Sequence, residues 1–287
     1  MPFSPASLVL RGVDQAVHRG LSAGADVARV TRFLSGRSRF VGREDDVFVA
    51  TYPRSGTTWV HAMVYYLLHG LDTEFFHISE VAPWWERTLA HRADGVEYLA
   101  ALSGPRVLKS HARPEWLPKR GRKIYVVRDA GDVARSYFRL YRTHLGFEGT
   151  IEEFVERMRR GRVQYGRHAD HVNAWSKHRD SVLWLRYETV FSDARKTLSA
   201  LCAYLGCDAD PKLLEAVLDK TAIDSMRSEA HLYDHGGEIL FQRGVRRHGF
   251  IGSGGSGAGE PPGVAGLRTQ LREGSRSRSW RLDKYLR

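Results

Sequence analysis

The chain has 287 residues, 42% of them apolar, enough for one sizeable α/β core and too many for a disordered polymer. Its 44 Lys and Arg against 33 Asp and Glu give a formal charge of +11, a balance suited to anionic ligands, nucleic acid or an anionic membrane. The two cysteines, Cys202 and Cys207, exclude a disulfide framework and form no metal motif, and no apolar run reaches transmembrane length or makes a signal-peptide core, so the cytoplasm is the expected compartment.

Residues 1–44 read as a partly helical N-terminal extension. Leu8, Leu10, Val13, Val17 and Leu21 fall at helical spacing, which suits packing on the domain or, as an alternative, a membrane surface. Strand one is Val47–Tyr52, and the segment Tyr52-Pro53-Arg54-Ser55-Gly56-Thr57-Thr58-Trp59 leads out of it. A buried strand, a small-residue loop and a helix start together make an anion cradle, because free N–H groups and the helix dipole face the incoming charge. The helix from Thr57 carries Val60, Met63, Val64, Leu67 and Leu68 on one stripe and stops near Gly70. Residues 72–104 are polar with aromatic islands, Phe75-Phe76-His77 and Trp84-Trp85, and suit an acceptor-side segment.

Strand two is Arg106–Lys109, followed by Ser110-His111. Strand three, Lys123–Val127, ends at Arg128-Asp129, and a helix bearing Ser136 leaves it. Thr150 with Glu153 forms a capping box ahead of Ile151, Phe154, Val155 and Met158. A further helix carries His171, Val172 and Trp175, and strand four is Val182–Leu185. Ala194, Leu198, Leu201, Cys202 and Leu205 make an inward helix face that Gly206 ends, and Pro211 opens a helix to about Leu218. Alternating strands and helices predict a central parallel sheet with helices on both faces. After a domain over 45–252, the segment 253–287 begins glycine-rich and turns basic, either a short helix over 267–287 or disordered.

Arg128 and Ser136 stand eight residues apart, one at a strand end and one on the helix leaving it, so both can face the crevice where open α/β sheets bind ligands. An Arg and a hydroxyl converging there suit a phosphate. Two phosphate-binding places suggest a nucleotide. The loop is not the NTPase form, since no Lys follows Gly56 and no Mg²⁺ carboxylate is evident. A nucleotide-dependent kinase or NTPase-like enzyme remains an alternative. So does a non-catalytic polyanion binder, given Arg268, Arg272, Arg276, Arg278, Arg281, Lys284 and Arg287 near the C-terminal end.

On these residues the chain resembles the PAPS-dependent sulfotransferases, the cytosolic type and its bacterial relatives. The family's Tyr-Pro-Lys-Ser-Gly-Thr-Thr-Trp loop is similar to Tyr52–Trp59, with Arg54 in place of Lys. Its Lys-Thr-His resembles Lys109-Ser110-His111, its Arg and Ser eight apart match Arg128 and Ser136, and its Tyr-Glu-Asp is similar to Tyr187-Glu188. Its Arg-Lys-Gly-x-x-Gly resembles Arg247-His248-Gly249-Phe250-Ile251-Gly252, though the usual Asp-Trp does not follow.

The resemblance implies a P-loop-NTPase-like three-layer sandwich and sulfuryl transfer from PAPS to a hydroxyl or amine of a small molecule, with no metal. His111 would be the general base, with Arg54 and Lys109 supporting the transferring group. Ser55, Gly56, Thr57 and Thr58 would hold the 5′-phosphate. Arg128 and Ser136, closed over by Arg247, His248 and Gly249, would hold the 3′-phosphate. Trp59 and Tyr187 would take the adenine, with Thr221 and Ile223 lining its pocket. Trp84, Trp85, Phe138 and Tyr141 suit either an acceptor pocket or the core. The family's C-terminal dimer motif is not found, and the side chains name no acceptor.

Overall fold

The structure, a computed structural model, describes residues 25–208, 210–233 and 261–276. Leu8–Leu21, Arg247, His248, Gly249 and the tail beyond Arg276 lie outside the described residues. The chain divides into two compact units, one of residues up to Val41 with Trp85–Leu102, the other of Gly42–Trp84 with the rest.

In the first unit a helix over 25–39 (α1) is joined by α3 (Trp85–His91) and α4 (Gly95–Ala101). Trp85 takes Phe33 and Phe40 edge-on at 5.7 and 5.9 Å, so it belongs to this unit's core. The stretch read as an acceptor-side segment therefore contains two helices. Their short, mixed pattern carries too few apolar repeats to show a 3.6-residue period.

The second unit is built on four parallel strands in the order β2-β1-β3-β4: β1 (Val47–Thr51), β2 (Val107–Ser110), β3 (Arg122–Val127) and β4 (Leu183–Arg186). Strands two and four each begin one residue later than their apolar runs predict. Just ahead of β2 the Arg106 guanidinium forks onto the Asp46 carboxylate at 2.6 and 2.7 Å, with both groups buried. Val47, Val49, Ile124, Val126 and Leu185 face α2 (Thr57–His69), α9 (Ala194–Leu205) and α10 (Pro211–Thr221) in one apolar cluster. On the opposite face Tyr125 stacks on Trp175 of α7 (His168–Ser176) at 4.9 Å. Alternate residues of β1 and β3 thus fill two cores, and the sheet is the middle of the expected P-loop-NTPase-like three-layer sandwich.

Around it lie α5 (Ala130–His144), α6 (Ile151–Arg159) with its Thr150–Glu153 capping box, α8 (Tyr187–Ser192) and α11 (Ile223–Ser228). The C-terminal segment is helical over Val264–Arg276 (α12), and it buries Val264, Leu267 and Leu271 against α5, α6 and α7. Because all strands are parallel, their carboxyl ends share one rim. The chain steps from β1 to β2 on one side and then to β3 on the other, so a crevice opens beyond β1.

Candidate active site

The loop from β1 to α2 leaves the sheet at that crevice. Gly56 has φ 92°, a left-handed backbone that L side chains rarely adopt. The Tyr187 ring presses on it so closely that a Cβ would lie 2.5 Å from Cδ2. Ser55 is fully buried, and its hydroxyl oxygen has no hydrogen-bond partner. A buried hydroxyl without a partner is costly unless a ligand satisfies it. With the first N–H groups of α2 alongside, that vacancy in the hydrogen bonding fits an anionic oxygen.

His111, 4% exposed, joins this loop through one residue that the sequence did not single out, Thr51 at the end of β1. His111 Nδ1 lies 2.9 Å from the Thr51 carbonyl and 3.3 Å from its hydroxyl. A carbonyl can only accept, so Nδ1 carries the proton and Nε2 keeps its lone pair. The Thr51 hydroxyl donates to Tyr52 O at 2.8 Å, so the Thr57 hydroxyl, 2.5 Å away, donates to Thr51. In this arrangement the Thr57 hydroxyl proton is already engaged, and its backbone N–H is the donor left to the loop side. Behind His111, its own carbonyl accepts from His171 Nε2 at 3.0 Å, and the Tyr125 hydroxyl donates to His171 Nδ1 at 2.9 Å. Burial holds the His171 pKa down to about 3, so the ring is neutral.

An aromatic box surrounds the His111 ring. Trp84 meets it edge-on at 5.0 Å and Tyr165 at 5.3 Å. Lys109, 4% exposed, points its Nζ over the Trp84 ring at 4.6 Å. Tyr165 has φ 67°, a strained backbone that no sequence signal marked beyond the adjacent Gly166. Phe138 and Tyr141, by contrast, pack with Phe154 at 5.8 and 4.9 Å in an aromatic cluster between α5 and α6.

Arg54, expected beside the transferring group, makes a side-chain hydrogen bond to α5. It too has a left-handed backbone, φ 70°, and its Nε donates to Ser136 Oγ at 3.0 Å. Its side chain thus reaches the α5 hydroxyl expected at the 3′-phosphate. Burial, then Arg139 and Arg128, lower its pKa to about 10, so it stays charged near neutrality. Arg128 donates to the Arg54 carbonyl at 3.1 Å and stacks over Tyr187 at 3.9 Å. Arg54, Arg128 and Ser136 therefore form one cationic group.

Beside that group Trp59, Tyr187 and Phe191 form an aromatic corner: Trp59 is 6.0 Å from Tyr187 and 6.3 Å from Phe191. Phe191, which the sequence reading did not name, is 40% exposed. Trp59 Nε1 donates to Thr221 O at 2.8 Å, whereas the Thr221 hydroxyl is turned back to Val217 O. Thr221 thus holds Trp59 in place rather than lining a pocket with its hydroxyl, and Ile223, the first residue of α11, is half-buried. Among the described residues no group of His, Cys, Asp or Glu could hold a metal ion.

The sulfotransferase domain family matches residues 44–254, which take in every element of this site up to the described limit. The chain belongs to that family. Sulfotransferase 1E1 of Mus musculus is 32% identical over 212 residues, 70% of this chain and 72% of its own. Sulfotransferase 1E1 of Homo sapiens is 34% identical over 201 residues, 66% and 68% of the two chains. Among solved structures, mouse sulfotransferase SULT7A1 complexed with PAP superposes with a TM-score of 0.70 at 24% identity, over 91% of this chain and 96% of that one. Retinol dehydratase in a complex with retinol and PAP gives 0.72 at 19%, over 87% of each. These two likenesses are likenesses of fold. For this sulfotransferase the family places the loop, His111 and the cationic group within one domain.

Proposed function

We propose that this sulfotransferase moves a sulfuryl group from PAPS to a hydroxyl or amine of a small-molecule acceptor, with residues 45–252 as the functional domain and the cytoplasm as its compartment. In that reading Ser55, Gly56, Thr57 and Thr58 take the 5′-phosphate, Arg128 and Ser136 the 3′-phosphate, and Trp59, Tyr187 and Phe191 the adenine. The family resemblance assigns Arg247, His248 and Gly249 to the 3′ side as well. The observation that carries the reading is the hydrogen-bond run Thr57–Thr51–His111, which links an anion loop directly to a base.

The chemistry then balances as follows. The acceptor oxygen or nitrogen forms a bond to sulfur as the bond from sulfur to the 5′-phosphate oxygen breaks. The acceptor's proton passes to His111 Nε2, and the electron pair leaves with the phosphate, giving PAP. Lys109 offsets charge at the transferring group. Arg54, on the same loop, offsets charge on the leaving phosphate, and a guanidinium keeps its charge in a dry site. Orientation and electrostatics supply the catalysis, and no step needs a metal.

Calorimetry with PAP, ATP and a heparin-like polymer tests the reading. Tight PAP binding without Mg²⁺ is expected. Mg²⁺-dependent ATP binding with none for PAP would overturn it in favour of a kinase-like enzyme.

A further inference from the structure

The C-terminal helix α12 reaches the cationic group through one side chain. Asp129, next to Arg128, is the N-cap of α5, and its Oδ1 accepts from the amides of Gly131 and Asp132 at 2.8 and 3.2 Å. Its own N–H donates to Glu188 Oε1 at 3.0 Å, on the first turn of α8 beside Tyr187. Asp129 thus ties together the helix bearing Ser136 and the helix bearing the ring under Arg128. Arg268 of α12 closes on the same carboxylate as a fork, Nε to Oδ2 at 3.0 Å and Nη2 to Oδ1 at 3.1 Å.

Two further observations point the same way. Position 131 is glycine, and a Cβ there would stand 3.1 Å from Val264 Cγ1 and 3.0 Å from Asp129 Oδ1, so α12 and the carboxylate close tightly over that position. Burial pushes the Asp129 carboxyl up, but the hydrogen bonds and charge of Arg268, with the two amides, hold it below the usual carboxylate range. An ionised carboxylate one residue from Arg128 would repel a phosphate dianion were it not neutralised.

We infer that Arg268 is a positioning residue for the donor's 3′-phosphate: it neutralises Asp129 and fixes the start of α5, so that Arg128 and Ser136 keep their spacing when the dianion arrives. This rests on the PAPS reading above. It assigns to the C-terminal helix, which lies beyond the matched family domain, a part in recognising the donor.

The test compares full-length protein with R268M, R268Q and R268K. Affinity for PAP and for adenosine 5′-monophosphate, which lacks the 3′-phosphate, is read by calorimetry beside a thermal melt. Wild-type protein that fails to prefer PAP would sink the donor reading itself. Given that preference, R268M and R268Q should lose about tenfold in PAP affinity and at most about twofold for the monophosphate. R268K should recover part of the loss, and the change should fall on KM for PAPS rather than on kcat. Equal losses for both ligands, or a lowered melt with the preference unchanged, would show Arg268 to be only a structural tie.

Discussion

His111 illustrates how a residue type acquires a role from its hydrogen bonds. A histidine in solution exchanges tautomers, whereas this one has its Nδ1 proton fixed by the Thr51 carbonyl, which makes Nε2 the ring's basic nitrogen. His111→Ala should cut kcat by about 10²–10⁴-fold while PAP affinity stays within about twofold, measured by turnover and calorimetry on one preparation. Unchanged turnover would remove His111 from the reaction. Its neighbours show where reading the sequence stops. Lys109, His111, Arg128 and Ser136 were legible because they fall in motifs that resemble the family's, at strand ends or on the helix that leaves one. Thr51 was not, because it reads as one more residue inside a strand. Nor was Tyr165, whose part comes from a positive φ. Arg54 and Tyr165 are the non-glycine residues with positive φ among those described, at 70° and 67°. Such backbones cost about 1–3 kcal/mol each. Both adjoin the candidate site, so the local strain lies beside the chemistry.

At the scale of elements, the helices with long apolar stripes were legible, as were the cap at Thr150 and the stop at Gly206. Residues 85–101 were not, being two helices of seven residues each, too short to repeat. The α12 helix was half legible: Val264, Leu267 and Leu271 mark one face, but neighbouring glycines and arginines dilute the pattern. The Asp46–Arg106 pair was invisible for a different reason, since its partners lie 60 residues apart and meet only when β1 and β2 align. That pair, with the Arg43 N–H donating to Asp46 Oδ2 at 2.7 Å, ties the entrances of two adjacent strands. Asp46→Ala leaves a buried guanidinium without its counter-charge and should lower unfolding stability by about 3–5 kcal/mol, read from urea denaturation. A loss under about 1 kcal/mol would mean that water reaches Arg106 after all.

For the molecule as a whole, buried histidines set the response to acid. Burial lowers the pKa of His168 to about 4 and of His171 to about 3. Both ring nitrogens of His168 lack hydrogen-bond partners, and its ring meets Tyr52 edge-on at 5.0 Å. The unfolded chain, with ordinary histidine pKa values near 6.5, takes up protons that the fold refuses. Stability from these two sites is therefore complete above about pH 6.5 and is lost as pH falls toward 4, by up to about 1.4 kcal/mol per pH unit for each ring. His168→Phe keeps the shape and removes the titration, so urea midpoints at pH 7.5 and 4.5 should differ less in the variant than in the wild type. An unaltered difference would mean that another group governs the acid limb.

The parallel sheet also has a practical side. Lys119 and Arg120 are exposed on the turn that enters β3, and Lys123 Nζ steadies that turn through the carbonyls of Lys119, Arg120 and Gly121. A six-residue strand spans about 20 Å, so this turn and the reactive rim lie at opposite ends of the sheet. A cysteine placed at Lys119 would give a handle for a dye or a solid support, leaving the working edge open to incoming molecules.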